Sequence, residues 1–179
     1  MVEDSLRDDI LAAIASLRAF AMSLTNNRDR ADDLVQDTIL RAWANIDRFE
    51  RGTNLNAWLF TILRNLFHSE YRKRKNEVED ADGSFAARLK THPDQHSHLD
   101  FEDFRTALAT LPLDQREALL LVGAQGLSYE EAATMCNVAV GTVKSRVNRA
   151  RSKLAFLLDL TSEAELGPDD VTKAALADQ

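Results

Sequence analysis

Apolar residues recur along this chain at helical spacing, and the recurrence is broken at only a few points. Leu6, Ile10, Ala13, Ile14, Leu17, Phe20, Ala21 and Leu24 fall at steps of three and four, one stripe of a long amphipathic helix. Thr25-Asn26-Asn27-Arg28-Asp29 interrupts it. A second helix comes next, capped by Asn27 or Asp29, with Asp32 and Asp33 near its positive end. Its buried stripe is Ala31, Leu34 or Val35, Thr38, Ile39, Ala42 and Trp43, which leaves Asp33, Gln36, Asp37, Leu40 and Arg41 largely outside. A loop containing Phe49, Gly52, Asn54 and Asn56 leads to a third helix, expected from about Ala57 to Lys75. Trp58, Leu59, Ile62, Leu66 and Phe67 form its apolar side; Arg64, Asn65, His68, Tyr71 and Arg72 form the other, ending in Lys73-Arg74-Lys75.

Residues 76–98 lose this periodicity and carry Gly83 and Pro93, so they read as a linker whose 23 residues reach ~75 Å when extended. Periodicity returns at about Leu99, where Phe101, Phe104, Ala107 and Leu108 share a helix ended by the Leu111-Pro112 step. Pro112 suits the first turn of the next helix, which Leu113, Ala118, Leu119, Leu121 and Val122 carry to Gln125-Gly126. Gly126 ends it, and Ser128 with Glu131 has the spacing of a reciprocal capping box that starts another helix near Tyr129. Ala132, Ala133 and Met135 keep its inner side small, Asn137 makes a bend, and Val138 fills the angle. The following helix spaces Val143, Val147, Ala150 and Leu154 on one side and Lys144, Ser145, Arg146, Asn148, Arg149, Arg151 and Lys153 around the other. Such a helix-turn-helix, apolar within and donor-rich without, is what reading a DNA major groove requires: Arg and Lys meet guanine and phosphate, Asn meets adenine.

No segment shows strand alternation. The expectation is an all-α protein of two small helical domains, residues 5–75 and 99–160, joined by a flexible linker at 76–98 and followed by an acidic tail at 161–179. With 45% hydrophobic and 28% charged residues the chain is of soluble globular type, and no apolar run approaches the ~20 residues of a membrane span. Glu3, Asp4, Asp8 and Asp9 are unlike a secretory signal, and the single cysteine, Cys136, excludes an internal disulfide and suits a reducing cytoplasm. His92, His96 and His98 have no companion ligand set, so neither a metal nor a cofactor is expected.

Charge changes the picture. The net charge is −7, yet residues 140–153 hold five bases and no acid, and a second basic stretch runs from Arg64 to Lys75. The remaining body is acidic; residues 154–179 alone hold six acids against one lysine. Non-specific DNA affinity scales with the phosphates neutralised, so such a protein should need close docking or a partner that delivers it to DNA. The acidic face of the second helix, with Leu40 bare upon it, either is solvated surface or docks on a basic partner helix. Donors and aromatics interleaved along the third helix suit a single strand with an extruded base, though a basic last turn also answers the helix dipole.

Two sets of segments together resemble a known family. Ala31-Asp32-Asp33-Leu34-Val35-Gln36-Asp37-Thr38-Ile39-Leu40-Arg41-Ala42-Trp43 and Ala57-Trp58-Leu59-Phe60-Thr61-Ile62-Leu63-Arg64-Asn65 resemble region 2 of bacterial sigma factors. Leu111-Pro112, Gln115 to Leu121, Gly126 to Ala133 and Val140 to Arg146 resemble region 4. Regions 2 and 4 alone, over roughly residues 8–158, are the layout of the extracytoplasmic-function (ECF) group of the sigma-70 family, and Asn65 to Arg74 is similar to its general-stress-response, EcfG-like type.

The resemblance implies a transcription initiation factor, not an enzyme, that binds core RNA polymerase and promoter DNA and is held by an anti-sigma factor. It implies that Asp33, Gln36, Asp37 and Leu40 dock on the clamp helices of the polymerase largest subunit. Phe49, Asn54, Asn56, Arg64, Asn65 and His68 would take the −10 element with a flipped base. Lys144, Ser145, Asn148 and Arg149 would read the −35 element, with Arg116, Arg146 and Arg151 as phosphate contacts or local packing. Two departures stand out: Asn137 occupies a bend where Gly is usual, and Ala139 stands where a capping side chain or proline is usual. The alternative reading is a sigma mimic that titrates an anti-sigma factor without touching DNA; it is disfavoured by the intact donor set from Lys144 to Arg151. A one-component regulator would need a sensor in place of residues 8–75.

Overall fold

The computed structural model describes residues 2–79 and 96–158, and all regular structure among them is helical. The chain divides into two compact units, Met1–Asp94 and Gln95–Gln179.

The first unit packs three helices: α1 (Val2–Thr25), α2 (Arg28–Ala44) and α3 (Leu55–Glu79). Helix α1 stops because Asn26 turns left-handed at φ +48°, and Asn27 opens α2 by accepting the Arg30 N–H on its side-chain oxygen at 3.0 Å. Ile10, Leu17 and Phe20 from α1 meet Ala31, Leu34 and Ala42 from α2 and Leu59, Phe60 and Leu63 from α3, all buried. Phe20 and Phe60 meet edge to face, with centroids 5.2 Å apart. Thr38, wholly buried, returns its hydroxyl to the Leu34 carbonyl at 2.7 Å, so it costs the core no unpaired donor.

Three expectations for this unit need correction. Trp43, assigned from the sequence to the buried stripe of α2, is 41% exposed. At ~100° per residue it falls on the outer side, within roughly 60° of Gln36 and Leu40. On α3 the core is carried by Phe60 and Leu63 as well as Leu59, Leu66 and Phe67, while Trp58 and Ile62 sit half-buried at its edge. Finally, α3 starts at Leu55 and continues through Lys75 to Glu79, because neither Gly nor Pro appears before Gly83 to stop it. Residues 76–79, assigned to the linker from sequence, are therefore helical.

The second unit contains α4 (His96–Ala109), α5 (Leu113–Leu119) running into a π-helical turn (Leu120–Ala124), α6 (Tyr129–Cys136) and α7 (Val140–Leu157). Here too α4 begins ahead of the expected Leu99. Pro112 is the N-cap residue of α5 rather than a member of its first turn, with φ −51° and ψ 141°. The wide π turn inserts a residue and rotates the downstream side chains about the helix axis. Leu121 is buried as expected and Leu120 joins it, whereas Leu119 and Val122, expected inside, are half-buried. Gly126, at φ +67°, then ends the segment, in agreement with the sequence. The side chains of Phe101, His96 and His98, together with His92 and the tail at 161–179, lie outside the described residues. Among the described ones, no group of three or more metal-ligand side chains converges and no helix is long and apolar enough to cross a membrane.

Candidate nucleic-acid interface

The surface richest in donors is built by α6 and α7. The capping box closes as the sequence requires: the Ser128 hydroxyl accepts the Glu131 N–H at 3.1 Å, and the Glu131 carboxylate accepts the Ser128 N–H at 2.9 Å. Asn137 is left-handed at φ 54°, ψ 49°, and the next residue, Val138, donates its N–H to the Ala133 carbonyl at 3.1 Å, fixing the bend. Ala139 is the N-cap of α7 and offers no side-chain bond, so this helix starts on geometry alone. Val143, Val147, Ala150 and Leu154 are buried and lock α7 against the unit.

With that row fixed inward, Lys144, Asn148 and Arg149 stand exposed on the opposite side, and Ser145 sits half-buried beside them with its hydroxyl donated to the Thr142 carbonyl at 2.9 Å. Lys144 also lies 5.7 Å above the Tyr129 ring, which steadies it at the base of the helix. Neither the first turn nor any later position of α7 holds an acid. The arrangement can present two cations, an amide and a hydroxyl to a groove.

Other bases in the expected set are engaged inside the unit. Arg146 pairs with Asp114 of α5 at 3.1 Å and is only 22% exposed. Arg116 donates to the carbonyls of Ala109 at 2.9 Å and Leu111 at 3.1 Å, satisfying the end of α4. Burial pulls the Arg116 guanidinium below its ordinary value, and the charge of Glu117 partly offsets this. Arg116 thus packs locally rather than joining the donor face, as Arg146 does. Arg151 is half-buried at the flank, and Lys153 donates to the Thr110 carbonyl at 3.3 Å. Glu117, buried to 1% exposure, is not foreseeable from the sequence because nothing local distinguishes it from the exposed acids nearby.

In the first unit, Asp33, Gln36, Asp37 and Leu40 all lie exposed on the outer side of α2, and Leu40 is 59% exposed. Trp43 joins them as a second bare apolar group, which its residue type alone does not signal. Around the loop, Phe49 meets Trp58 in a tilted ring contact, centroids 5.2 Å apart, and lines an open cleft with Leu6, Leu11, Trp43 and Ile46. Asn54 caps α3 by accepting the Ala57 N–H at 3.1 Å, so part of its polarity serves the helix start. Asn56 and Asn65 are exposed, and Arg64 and His68 half-buried. Along α3, Trp58, Asn65, His68 and Arg72 share one side, His68 in ring contact with Phe67 at 5.5 Å and Arg72 donating to the His68 carbonyl at 3.3 Å. Arg30 on α2 is drawn below its ordinary value by burial and by nearby Arg74, against the pull of Glu70 at 3.9 Å.

A helical protein with a capped helix-turn-helix and an acid-free outer helix is of the DNA-binding helix-turn-helix class. Comparison with known proteins narrows this. Residues 12–77 match the family model for sigma-70 region 2, and residues 101–154 that for sigma-70 region 4. The chain is 68% identical over 173 residues to the ECF RNA polymerase sigma factor EcfG of Rhodopseudomonas palustris (strain TIE-1), covering 97% of this chain and 96% of that protein. Among solved structures it is similar to the sigma factor RpoE of Bartonella quintana, crystallised with the anti-sigma factor NepR, at TM-score 0.79 and 52% identity over 88% of this chain and 99% of the other. It is also similar to CnrH, solved with the cytosolic domain of CnrY, at TM-score 0.65 and 28% identity over 89% and 91%. The chain belongs to the ECF group of the sigma-70 family and is of EcfG-like type.

Proposed function

We propose that this sigma factor directs core RNA polymerase to the promoters of stress-response genes through three surfaces of its own. The exposed row Lys144, Ser145, Asn148 and Arg149 reads the −35 element in the major groove. The outer side of α2, Asp33, Gln36, Asp37 and Leu40 with Trp43 added, docks on the polymerase. The side of α3 bearing Asn65 and His68, with Arg64, Asn56 and Phe49 nearby, takes the −10 element as separated strand. One observation carries the reading: α7 exposes cations and amide along an acid-free face while Arg146 is paired with Asp114 and Arg151 is half-buried, which leaves a defined reading set rather than a diffuse basic patch.

The action is cytoplasmic and non-catalytic, since the protein contributes recognition and the polymerase the chemistry. RpoE and CnrH were each solved bound to a partner, NepR and CnrY. By that likeness an anti-sigma factor holds this chain in unstressed cells; a pull-down from such cells recovering only polymerase would count against it. The deciding experiment is transcription in vitro by core polymerase, with and without the protein, on a library of genomic fragments. New start sites sharing spaced −35 and −10 sequences are expected. Their absence, with anti-sigma binding retained, would make the protein a mimic.

A further inference from the structure

We propose that the acidic segment after α7, residues 159–179, docks back along the donor face of that helix and over Phe156, and competes with DNA for it. The competition rests on reading that face as the DNA surface; the docking does not.

Phe156 is 84% exposed and Leu157 42%. A lone bare apolar side chain is ordinary, but the place of this one is not. Ser145, Arg149, Ser152 and Phe156 succeed one another at i, i+4, i+7 and i+11, so the bare ring ends the same row that holds the donors. Lys144 and Arg149 stand exposed on this face of an acid-free helix, and the 21 residues after Leu158 have six acids and one lysine. Opposite charge is therefore tethered directly to the face that needs it.

The order of residues fits as well as their sum. Lys144 stands 14 residues before Leu158, ~21 Å along the helix axis at 1.5 Å per residue. A chain returning extended at ~3.3 Å per residue covers that in about seven residues, which brings Glu165 to Lys144. Glu163 then falls near Arg149, and Leu160 lies at the bend, where it can cover Phe156. Gly167-Pro168 comes where the helix has been passed, with Asp169 and Asp170 beyond. At such separations the attraction lies within a Debye length at physiological salt and is screened at high salt. DNA, with a denser negative charge, displaces the segment when the polymerase presents a promoter.

The test uses the full-length protein at low concentration. Zero-length carbodiimide cross-linking of the monomer should join Lys144 or Lys153 to Glu163, Glu165 or Asp169. The links should fade in 1 M salt, on adding promoter duplex, and in Phe156→Ser. A full-length variant carrying Glu163→Gln, Glu165→Gln, Asp169→Asn and Asp170→Asn should bind a random-sequence duplex about tenfold more tightly at low salt, and the gain should vanish at high salt. No links within the monomer, with wild-type affinity in the neutralised variant, would overturn the proposal, as would links found only between two copies. Links present with unchanged duplex affinity would support the docking and count instead against α7 as the DNA surface.

Discussion

Arg149 and Arg146 stand three residues apart on one helix, and the structure gives them opposite surroundings that a pair of substitutions can probe. Arg149 is exposed on the donor row, whereas Arg146 is 22% exposed and bonded to Asp114 at 3.1 Å. Arg149→Ala removes no packed contact, so the stability of the second unit should stay within about 0.5 kcal/mol of wild type. If the side chain reads a base edge, its loss should cost ~1–3 kcal/mol of discrimination, roughly five- to 150-fold between the preferred promoter and one altered at a single −35 position. Arg146→Ala should do the reverse. It breaks a half-exposed ion pair, worth up to about 1 kcal/mol after solvent screening, and should lower the melting temperature with little change in discrimination. Asp114→Ala should reproduce that loss, and the double variant should cost less than the two singles combined.

The assay is competitive run-off transcription by the reconstituted holoenzyme on paired templates, read beside thermal melts of the free protein. Equal weakening on every template after Arg149→Ala would make that residue a phosphate contact. A loss of discrimination after Arg146→Ala without a change in melting would show that Arg146 leaves Asp114 for DNA, which would refute the division of labour.

Three further outcomes are expected. Asp33→Lys with Asp37→Lys should abolish co-purification with core polymerase while the helical circular dichroism and melting stay unchanged, since both carboxylates lie exposed on α2; retained co-purification would remove that face from the docking account. Asn54→Ala should cost about 1 kcal/mol in urea unfolding through the lost cap of α3, and Asn54→Ser should recover most of it. If Asn54→Ser recovers stability but not promoter opening, the amide also touches the strand. Ala139→Ser should add about 1 kcal/mol by giving α7 the side-chain cap it lacks, seen as a melting temperature several degrees higher; no rise would mean that the backbone at Ala139 cannot present a hydroxyl to the first turn.

The parts of the fold readable from the chain were those fixed by near neighbours. The capping box, the left-handed Asn137 and the inward row of α7 each depend on residues within four positions of one another, and each is found where the spacing puts it. Trp43 and Trp58 depart from their expected places for a different reason. Their residue type points inward while their angular position on the helix points outward, and a large aromatic on the outer side of a helix is itself a signal of a surface meant to be covered. The π turn after Leu119 could not be read, because its extra residue is accommodated by packing rather than announced by Gly or Pro. Nor could sequence tell Arg116 and Arg146 from Arg149. Asp114 lies 32 positions before Arg146, and only the folded unit brings them together.

That sorting of arginines bears on how the protein can work at all. If the charges of Lys144, Arg149 and one flanking base, held in the groove, release the counterions of about three phosphates, the logarithm of affinity should fall with a slope near −2.7 against the logarithm of salt, roughly fortyfold between 50 and 200 mM. A helix-turn-helix with so few free cations, on a body of net charge −7, holds DNA weakly by itself. On the proposed reading, docking of α2 on the polymerase would change the arithmetic, because the −35 contact would then become intramolecular and be governed by an effective concentration of order millimolar. The few groups proposed to read bases would suffice under that condition and only then. On that reading, low basicity would make promoter recognition conditional on polymerase.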